Sequence, residues 1–341
     1  MERRYSEDDL IASVFAPIAG QAALGLADDA ALLPASSDGL VVTTDALVSG
    51  VHFFADDPPG MIARKALRVN LSDLAAKGAE PLGFLLALAL PSDWTNDWLH
   101  AFASGLGEDA GAYHCPLLGG DTVATPGTLT ISITALGRAP RGCFVARRGA
   151  RAGDAIYVTG TIGDAALGLA LRLEAVASLK ARGQGGLDRE PSGSPLAKQA
   201  RDFLLGRYLL PQPRVALAPA LRNHASAAMD ISDGLAGDLT KLTRVSNIGA
   251  VVELARVPLS PAAREAIAID PTLFDIAMTG GDDYEILCCV RGDSAGFEAA
   301  ARNSSISVTK IGEATADAGP PVFLDAQKNI KVFNRLSFSH F

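Results

Sequence analysis

Hydrophobic positions recur along this chain with the spacing of helices in some segments and of strands in others. Apolar residues recur every three or four positions over Pro58–Gly78 and again over Trp94–Tyr113, which predicts two amphipathic helices. The continuous apolar run Gly83–Leu90 is typical of a buried strand. A short helix over Glu7–Ala19 and a strand over Ala30–Leu33 complete the predicted start of the chain.

The segment Arg147–Asp154 separates this first half from a second half with more helices and strands. It is basic and contains glycine, and a predicted strand, Ala155–Thr159, begins directly after it. We therefore expect two domains, residues 1–146 and 147–341. Because predicted strands and helices alternate, the expected fold class is α/β with mixed sheets. The polar stretch Ala181–Pro195 is predicted to be a mobile surface loop.

The composition agrees with a folded protein of two domains. The chain has 341 residues, of which 48% are hydrophobic, and a mean hydropathy of +0.21, which excludes an intrinsically disordered chain. A net charge of −8 argues against binding to nucleic-acid phosphates. The start of the chain lacks the apolar stretch of a signal peptide, and the longest apolar run is far shorter than the ~20 residues of a membrane span. We therefore expect a cytoplasmic protein with neither a nucleic-acid nor a membrane partner.

Aspartate is the most informative residue type, with 27 Asp against 11 Glu. Many of these aspartates lie beside Gly, Ser or Thr where a predicted strand or helix begins or ends. A turn or a helix cap explains any one of them, but several carboxylates close together are costly without a cation. Mg²⁺ prefers oxygen ligands of this kind, together with waters and substrate phosphates. Six segments share the pattern: 27–30, 43–45, 70–73, 119–122, 230–234 and 280–285.

Other catalytic chemistry is scarce in the sequence. There is neither a Walker motif nor a nucleophile elbow, and the four cysteines have no metal-binding spacing. His52 is the one imidazole close to the aspartate segments, and a packed core residue is the alternative interpretation of it. Gly160–Gly163, before a predicted helix, is either an anion-binding helix start or a tight turn. The remaining carboxylates, hydroxyls and arginines fit phosphoryl transfer assisted by metal ions.

The order of these motifs resembles that of the thiamine-monophosphate kinases. The succession is D-D-A, T-T-D-x-L-V-x-G-x-H-F, K-A-L-x-V-N-L-S-D-L-A-A-x-G-A-x-P, G-G-D-T, D-I-S-D-G-L and G-G-x-D-Y-E, from about Leu24 to Phe341. That family belongs to the ATP-dependent superfamily that includes aminoimidazole ribonucleotide synthetase. The resemblance implies phosphorylation of thiamine monophosphate to thiamine diphosphate, with ATP as co-substrate and several Mg²⁺ ions rather than a side-chain base.

The resemblance also implies an architecture and a set of site residues. Family members are typically homodimers, in which the N-terminal α/β domains pair to form a β-barrel and each C-terminal α/β domain stays separate. The residues at matching positions fall into three groups. The implied metal ligands are Asp29, Thr43, Thr44, Asp45, Asp73, Asp121, Asp230 and Asp233; the implied ATP contacts are Gly120, Asp121, Arg147 and Ser232; the implied thiamine monophosphate contacts are His52 and Asp282.

Three positions depart from the family pattern. Ala27 stands where the family usually has glycine, and Asp282 where it often has glutamate. Arg335 falls where the family often offers an aromatic side chain to the thiamine, and Phe333 or Phe338 is the alternative.

Three alternatives accompany this interpretation. Asp73 has a second interpretation as the partner of a lysine four residues further on, Lys77. A superfamily member that makes an activated amide and a nucleotide-binding paralogue without activity are the alternative functions.

Overall fold

The computed structural model describes residues 11–26, 36–182 and 196–337. The chain divides into two compact units, one ending at Phe144 and the other beginning at Val145. The predicted helix over Glu7–Ala19 is wrong for its described part, which is a π-turn followed by the 3₁₀ turn Ala16–Ile18. Pro17 accounts for the difference, because its ring lacks the N–H that a continuing α-helix needs. The predicted strand over Ala30–Leu33 and residues 183–195 of the predicted loop lie outside the described residues.

In the described part of the first unit, one four-stranded sheet is accompanied by two α-helices. The sheet order is β1-β4-β2-β3, with β2 and β3 parallel and the other neighbours antiparallel. Helix α1 packs on β1, β2 and β4, and α2 packs on α1. The bounds are β1 Gly39–Val48, α1 Pro59–Ala76, β2 Glu80–Leu90, α2 Asn96–Ala112, β3 Leu117–Ala124 and β4 Thr130–Ala139.

Strand β2 corrects one prediction from the sequence. The apolar run Gly83–Leu90 does form a strand, but only the face of Leu86 and Leu88, towards α1, is buried. Leu85 and Ala87, which alternate with them, are exposed. A run that is apolar at every position has no period of two, so its sequence alone cannot tell a strand covered on both faces from one covered on a single face.

Helices α1 and α2 are held together by charge and by a close backbone contact. The guanidinium of Arg68 donates from Nη2 to Asp109 Oδ1 at 3.0 Å, and both side chains are buried. Arg64 Nε donates to the same oxygen at 3.0 Å. At Gly105 of α2 a Cβ atom would lie 2.4 Å from the carbonyl oxygen of Gly60 in α1. Only glycine therefore permits this separation of the two helix axes.

The second unit is built on a seven-stranded sheet of order β11-β10-β7-β9-β5-β8-β6. Strands β10 and β7 are parallel, and the other neighbouring pairs are antiparallel. The strands are β5 Ala155–Thr159, β6 Ala225–Ile231, β7 Gly249–Glu253, β8 Glu285–Val290, β9 Val308–Thr315, β10 Val322–Leu324 and β11 Ile330–Lys331. The helices are α3 Asp164–Arg182, α4 Lys198–Leu209, α5 Ala218–His224, α6 Leu235–Ser246, α7 Pro261–Ile269, α8 Leu273–Thr279 and α9 Ser294–Asn303.

The predicted strand Ala155–Thr159 is observed as β5 with the same bounds, and strands and helices alternate through most of the second unit, as expected. Two elements were not predicted, the seven-residue helix α8 and the two-residue strand β11. Both are too short for a hydrophobic period to repeat within them. None of the helices in the described part of the chain has the length and apolar composition needed to cross a membrane.

The contact between Gly60 and Gly105 makes a testable prediction about stability. Gly105→Ala forces a methyl group against the backbone of α1, and we expect it to lower the free energy of unfolding by about 1–3 kcal/mol. Gly111→Ala is the matched control, because it lies in the same helix and a Cβ there would meet no atom within 4 Å. The control should be neutral or stabilising by up to about 1 kcal/mol. Denaturant unfolding of both variants measures the difference. Equal free energies of unfolding for Gly105→Ala and Gly111→Ala would contradict the prediction.

Candidate active site

Strand β1 and helix α1 bring three of the expected metal ligands together. Side chains alternate along β1, so Thr43 and Asp45 share the face that packs beneath α1, where Leu47 is buried. Asp73 comes from the last turn of α1. The hydroxyl of Thr43 donates a short hydrogen bond to Asp73 Oδ2. Two carboxylates and a hydroxyl from distant parts of the sequence thus meet on one side of the sheet.

Within residues 11–26, 36–182 and 196–337, no cationic side chain balances the charges of this cluster. Burial, and next the negative charge of Asp73, raise the pKa of the Asp45 carboxyl from 3.8 to about 6. Among the described residues, Asp73 accepts from the hydroxyl of Thr43, and no lysine or arginine is seen to pair with Asp45 or Asp73. The donors are all oxygens, which suits a hard divalent cation. These residues therefore fit Mg²⁺, since such a cation would remove the repulsion between the two carboxylates.

Other expected ligands of the first unit do not join this cluster. Thr44 lies on the opposite face of β1, where its Oγ1 donates to Ile133 O at 3.1 Å and accepts from Thr134 Oγ1 at 3.1 Å. Asp121 of β3 is the partner of Ala87 in β2, and paired residues lie on the same side of a sheet. Since Ala87 is exposed on the face opposite α1, Asp121 lies on that face as well. Asp29 lies outside the described residues. Within the ranges that the structure describes, no three His, Cys, Asp or Glu side chains gather as a metal cluster.

Gly120, an expected ATP contact, is required by the packing of β3 on β2. A Cβ atom at this position would lie 1.9 Å from the carbonyl oxygen of Leu86, so no other residue fits without moving the strand. The glycine also leaves the backbone next to Asp121 uncovered by a side chain, and both residues are exposed.

His52 is held in the turn that follows β1. Its Nδ1 accepts a hydrogen bond from the backbone N–H of Val48 at 2.9 Å. Its carbonyl oxygen accepts one from the ammonium of Lys65 at 3.0 Å, and Lys65 is only 2% exposed. Because Nδ1 is an acceptor here, the proton of the neutral imidazole is on Nε2. The neutral imidazole of His52 therefore has a hydrogen-bond donor at Nε2.

In the second unit, the expected ligands Asp230 and Asp233 lie at and just beyond the end of β6. Asp230 is buried at 6% exposure. The N–H of Asp233 donates to Asp238 Oδ2 at 2.9 Å, and the Asp233 carboxylate accepts a short hydrogen bond from Lys241. Lys241 also donates to Asp238 Oδ1 at 2.7 Å. Both acidic partners raise the pKa of Lys241, although its partial burial opposes them. Asp233 thus differs from Asp45 in having a cationic partner from the protein.

The segment 280–285 is tied to the end of β6. The N–H of Asp282 donates to Ser232 O at 2.9 Å, and the N–H of Tyr284 donates to Ile231 O at 2.8 Å. Asp282 and Tyr284 have φ values of 74° and 51°, a left-handed conformation that is uncommon for residues other than glycine. The structure therefore brings the expected substrate contact Asp282 close to the expected ATP contact Ser232.

Asp283 is a buried anchor of this segment, with no role assigned to it from the sequence. Its carboxylate is buried and accepts hydrogen bonds from the N–H groups of Gly163 at 2.6 Å and Ala165 at 3.3 Å, at the start of α3. Burial raises its pKa well above the usual range, against these hydrogen bonds. The helix start that follows Gly160 thus holds a carboxyl group that belongs to the protein itself. The sequence does carry a signal for it, because Asp283 is the aspartate of the motif G-G-x-D-Y-E.

Glu285, the last residue of the motif G-G-x-D-Y-E, is also buried. Its carboxylate accepts from Arg207 Nη2 at 2.8 Å and from Arg214 Nε at 2.7 Å. The hydroxyl of Thr159 donates to it at 2.6 Å and accepts from the N–H of Ile286 at 2.7 Å. These contacts fix the C-terminal end of the segment that presents Asp282.

Arg147 is exposed, on a segment whose backbone is anchored to the rest of the second unit. The buried carboxylate of Asp154 accepts from Arg151 N at 2.9 Å, from Ser226 Oγ at 2.6 Å and from Arg291 Nε at 3.0 Å. Arg291 also donates to Gly149 O at 2.9 Å. Arg147 therefore projects from a fixed loop.

The structure places Phe333, one of the two alternatives for an aromatic side chain at the thiamine, in the core. Phe333 is buried and packs edge-to-face against Phe323, with ring centroids 5.3 Å apart, so its ring is part of the core. Arg335 is exposed, and its Nε donates to Ser337 O at 2.7 Å. Phe338 lies outside the described residues.

Comparisons with known proteins agree with this division into two units. Residues 27–139 match the family AIR synthase related protein, N-terminal domain, and residues 151–325 match the corresponding C-terminal domain. The chain is 42% identical to the thiamine-monophosphate kinase of Caulobacter vibrioides over 315 residues, which cover 90% of this chain and 84% of that protein.

Two solved structures are similar to the chain over most of its length. A thiamine-monophosphate kinase from Stenotrophomonas maltophilia K279a superimposes with a TM-score of 0.75 at 38% identity, covering 87% of this chain and 89% of that one. AaThiL complexed with AMPPCP and TMP gives a TM-score of 0.74 at 30% identity, with coverages of 92% and 91%.

The unbalanced charge at Asp45 predicts an effect of pH on stability. Its pKa is higher in the folded protein than in the unfolded chain, so the free energy of unfolding should fall as the pH rises from about 4 to about 6. Without metal at neutral pH, Asp45→Asn should therefore be more stable than the wild type, by up to about 3 kcal/mol. Added Mg²⁺ should stabilise the wild type more than the variant.

Denaturant unfolding in EDTA and in Mg²⁺, at pH 5 and at neutral pH, measures these differences. Asp93→Asn is the control, because Asp93 is an exposed aspartate of the same unit. A wild type that is as stable as Asp45→Asn at neutral pH in EDTA would contradict the prediction.

Proposed function

This chain belongs to the thiamine-monophosphate kinase family, and from that premise we propose that it transfers the γ-phosphoryl group of ATP to thiamine monophosphate. The products are thiamine diphosphate and ADP. The observation that carries the proposal is the cluster of Thr43, Asp45 and Asp73, whose negative charge has no cationic partner among the described residues. A cluster of this kind suits a reaction in which charged phosphates are held through metal ions.

The proposed division of roles follows the chemistry of the side chains. Thr43, Asp45 and Asp73 hold divalent cations. Five further ligands are proposed from the family resemblance and lie outside this cluster: Asp29, Thr44 and Asp121 of the first unit, and Asp230 and Asp233 of the second. Mg²⁺ held by these residues would supply the charge neutralisation that a transferred phosphoryl group needs. Gly120, Asp121, Arg147 and Ser232 contact ATP, where the exposed guanidinium of Arg147 is suited to a phosphate. His52 and Asp282 contact thiamine monophosphate, whose thiazolium charge suits the carboxylate.

The reaction proposed here needs no general base from the protein. The acceptor is a phosphate that is already anionic, so no proton has to be removed before it attacks. The hydrogen bonding of His52 supports a role in binding the substrate and not as a base. Its Nδ1 accepts from the N–H of Val48, so the neutral imidazole carries its proton on Nε2. A donor orients an anionic acceptor, whereas a base would need a free lone pair on Nε2.

We also propose that the protein acts as a homodimer joined through the sheet of the first unit. The face of this sheet opposite α1 exposes Leu40, Val42, Leu85 and Val123 at 58%, 57%, 39% and 49%. The registers of β1, β2, β3 and β4 place these four side chains on the same face. An exposed apolar patch of this kind is typical of an interface, and a second copy of the sheet is a self-complementary partner. Location in the cytoplasm stays a prediction from the sequence.

The activity is tested by the release of ADP that depends on thiamine monophosphate. The wild type should release ADP only when both substrates and Mg²⁺ are present, which a nucleotide-binding paralogue without activity would not do. Asp73→Asn should lower the turnover by about 10²-fold or more, with partial recovery at high Mg²⁺. Lys77→Gln should stay within about twofold of the wild type, as expected if Asp73 is a ligand and not the partner of Lys77. Near wild-type turnover of Asp73→Asn at ordinary Mg²⁺ would contradict the ligand role.

The proposed interface is tested by a charge at its centre. Val42→Lys should shift the sedimentation of the protein at micromolar concentration from dimer to monomer, because an unpaired ammonium in an apolar interface is costly. Leu173→Lys is the control, since Leu173 is equally exposed but lies on α3 of the second unit. A wild type that sediments as a monomer, or a Val42→Lys variant that stays dimeric, would contradict the interface.

A further inference from the structure

The ammonium of Lys241 forms an ion pair with Asp233, an expected metal ligand of the second unit. Lys241 lies on α6, and its ammonium contacts both Asp233 and Asp238. Asp233 is the expected ligand, whereas Asp238 belongs to no expected site. The two carboxylates differ in exposure, since the side chain of Asp233 is 35% exposed and that of Asp238 is fully buried. The ammonium thus bridges a carboxylate that a ligand can reach and one that it cannot.

The buried partner holds Lys241 in place. Both oxygens of Asp238 are in use, because Oδ1 accepts from Lys241 at 2.7 Å and Oδ2 accepts from the N–H of Asp233 at 2.9 Å. Asp238 and Lys241 are three residues apart on one helix, so they are neighbours on its surface. If the ammonium left Asp233, it would keep its bond to Asp238 and need not become a buried, unpaired charge.

We propose that Lys241 is a built-in competitor for the divalent cation at Asp233. This inference rests on the proposed function, in which Asp233 is a metal ligand. An ammonium and a divalent cation repel each other at hydrogen-bonding distances, so they cannot share the Asp233 carboxylate without loss of affinity. Binding of the metal therefore requires Lys241 to withdraw to Asp238. The competition raises the concentration of Mg²⁺ at which this part of the site fills and leaves the cluster of Thr43, Asp45 and Asp73 unaffected.

The experiment measures the binding of Mn²⁺ to the full chain by electron paramagnetic resonance, with no nucleotide present. Lys241→Gln should tighten the binding of one Mn²⁺ ion by about tenfold or more. Arg244→Gln is the matched control, because it removes the same charge from an exposed position on the same helix. It should change the affinity by less than about twofold. Lys241→Arg keeps the charge and should keep the wild-type affinity.

Two results would overturn the inference. The first is a Lys241→Gln affinity equal to that of the wild type or of Arg244→Gln, since the effect would then be absent or due to net charge alone. The second is tighter binding in Lys241→Arg as well, because the effect would then come from altered packing.

Asp233→Asn separates this inference from the proposed function. If that variant keeps every Mn²⁺ ion of the wild type at unchanged affinity, Asp233 is not a ligand, and both the inference and that part of the proposed function are wrong. If it loses one ion while Lys241→Gln behaves as the wild type, only the role of Lys241 is wrong.

Discussion

Negative charge that is removed from water has to be compensated, and this constraint organises the acidic groups of both units. The compensating group differs from one carboxylate to the next. Backbone N–H groups at the start of α3 donate hydrogen bonds to Asp283, and two arginines form ion pairs with Glu285. Among the described residues, Asp45 and Asp73 have no such cationic partner. The contrast distinguishes carboxylates that maintain the fold from carboxylates that are left for a ligand.

The compensated carboxylates also position the residues that are proposed to bind substrate. Asp283 and Glu285 anchor a short segment at two points, and Asp282 and Tyr284 adopt left-handed φ values within it. Such conformations persist only where the surroundings hold them. A buried carboxylate at a helix start is a strong anchor, because it satisfies N–H groups that have no partner within the helix. The geometry at Asp282 thus depends on side chains that point away from it.

The first unit uses the alternation of a strand to separate two tasks. On one face of β1, Thr43 and Asp45 meet Asp73 beneath α1. On the other, Leu40 and Val42 form part of an exposed apolar surface. A displacement of the register by a single residue would exchange these faces, so the pairing of β1 with β4 determines both the cation cluster and the proposed interface.

The sequence by itself determined the elements and the residue types of the site, because helix periods, caps and motifs are local properties. The predicted helix Pro58–Gly78 is observed as Pro59–Ala76, and the family follows from motifs that can be read in order. Only the tertiary structure decided which carboxylate has a partner. Lys241 and Asp233 are eight residues apart, and Arg207 and Glu285 are 78 apart. Such pairings depend on how helices and strands pack, and no local pattern in the sequence specifies which of these distant residues come into contact.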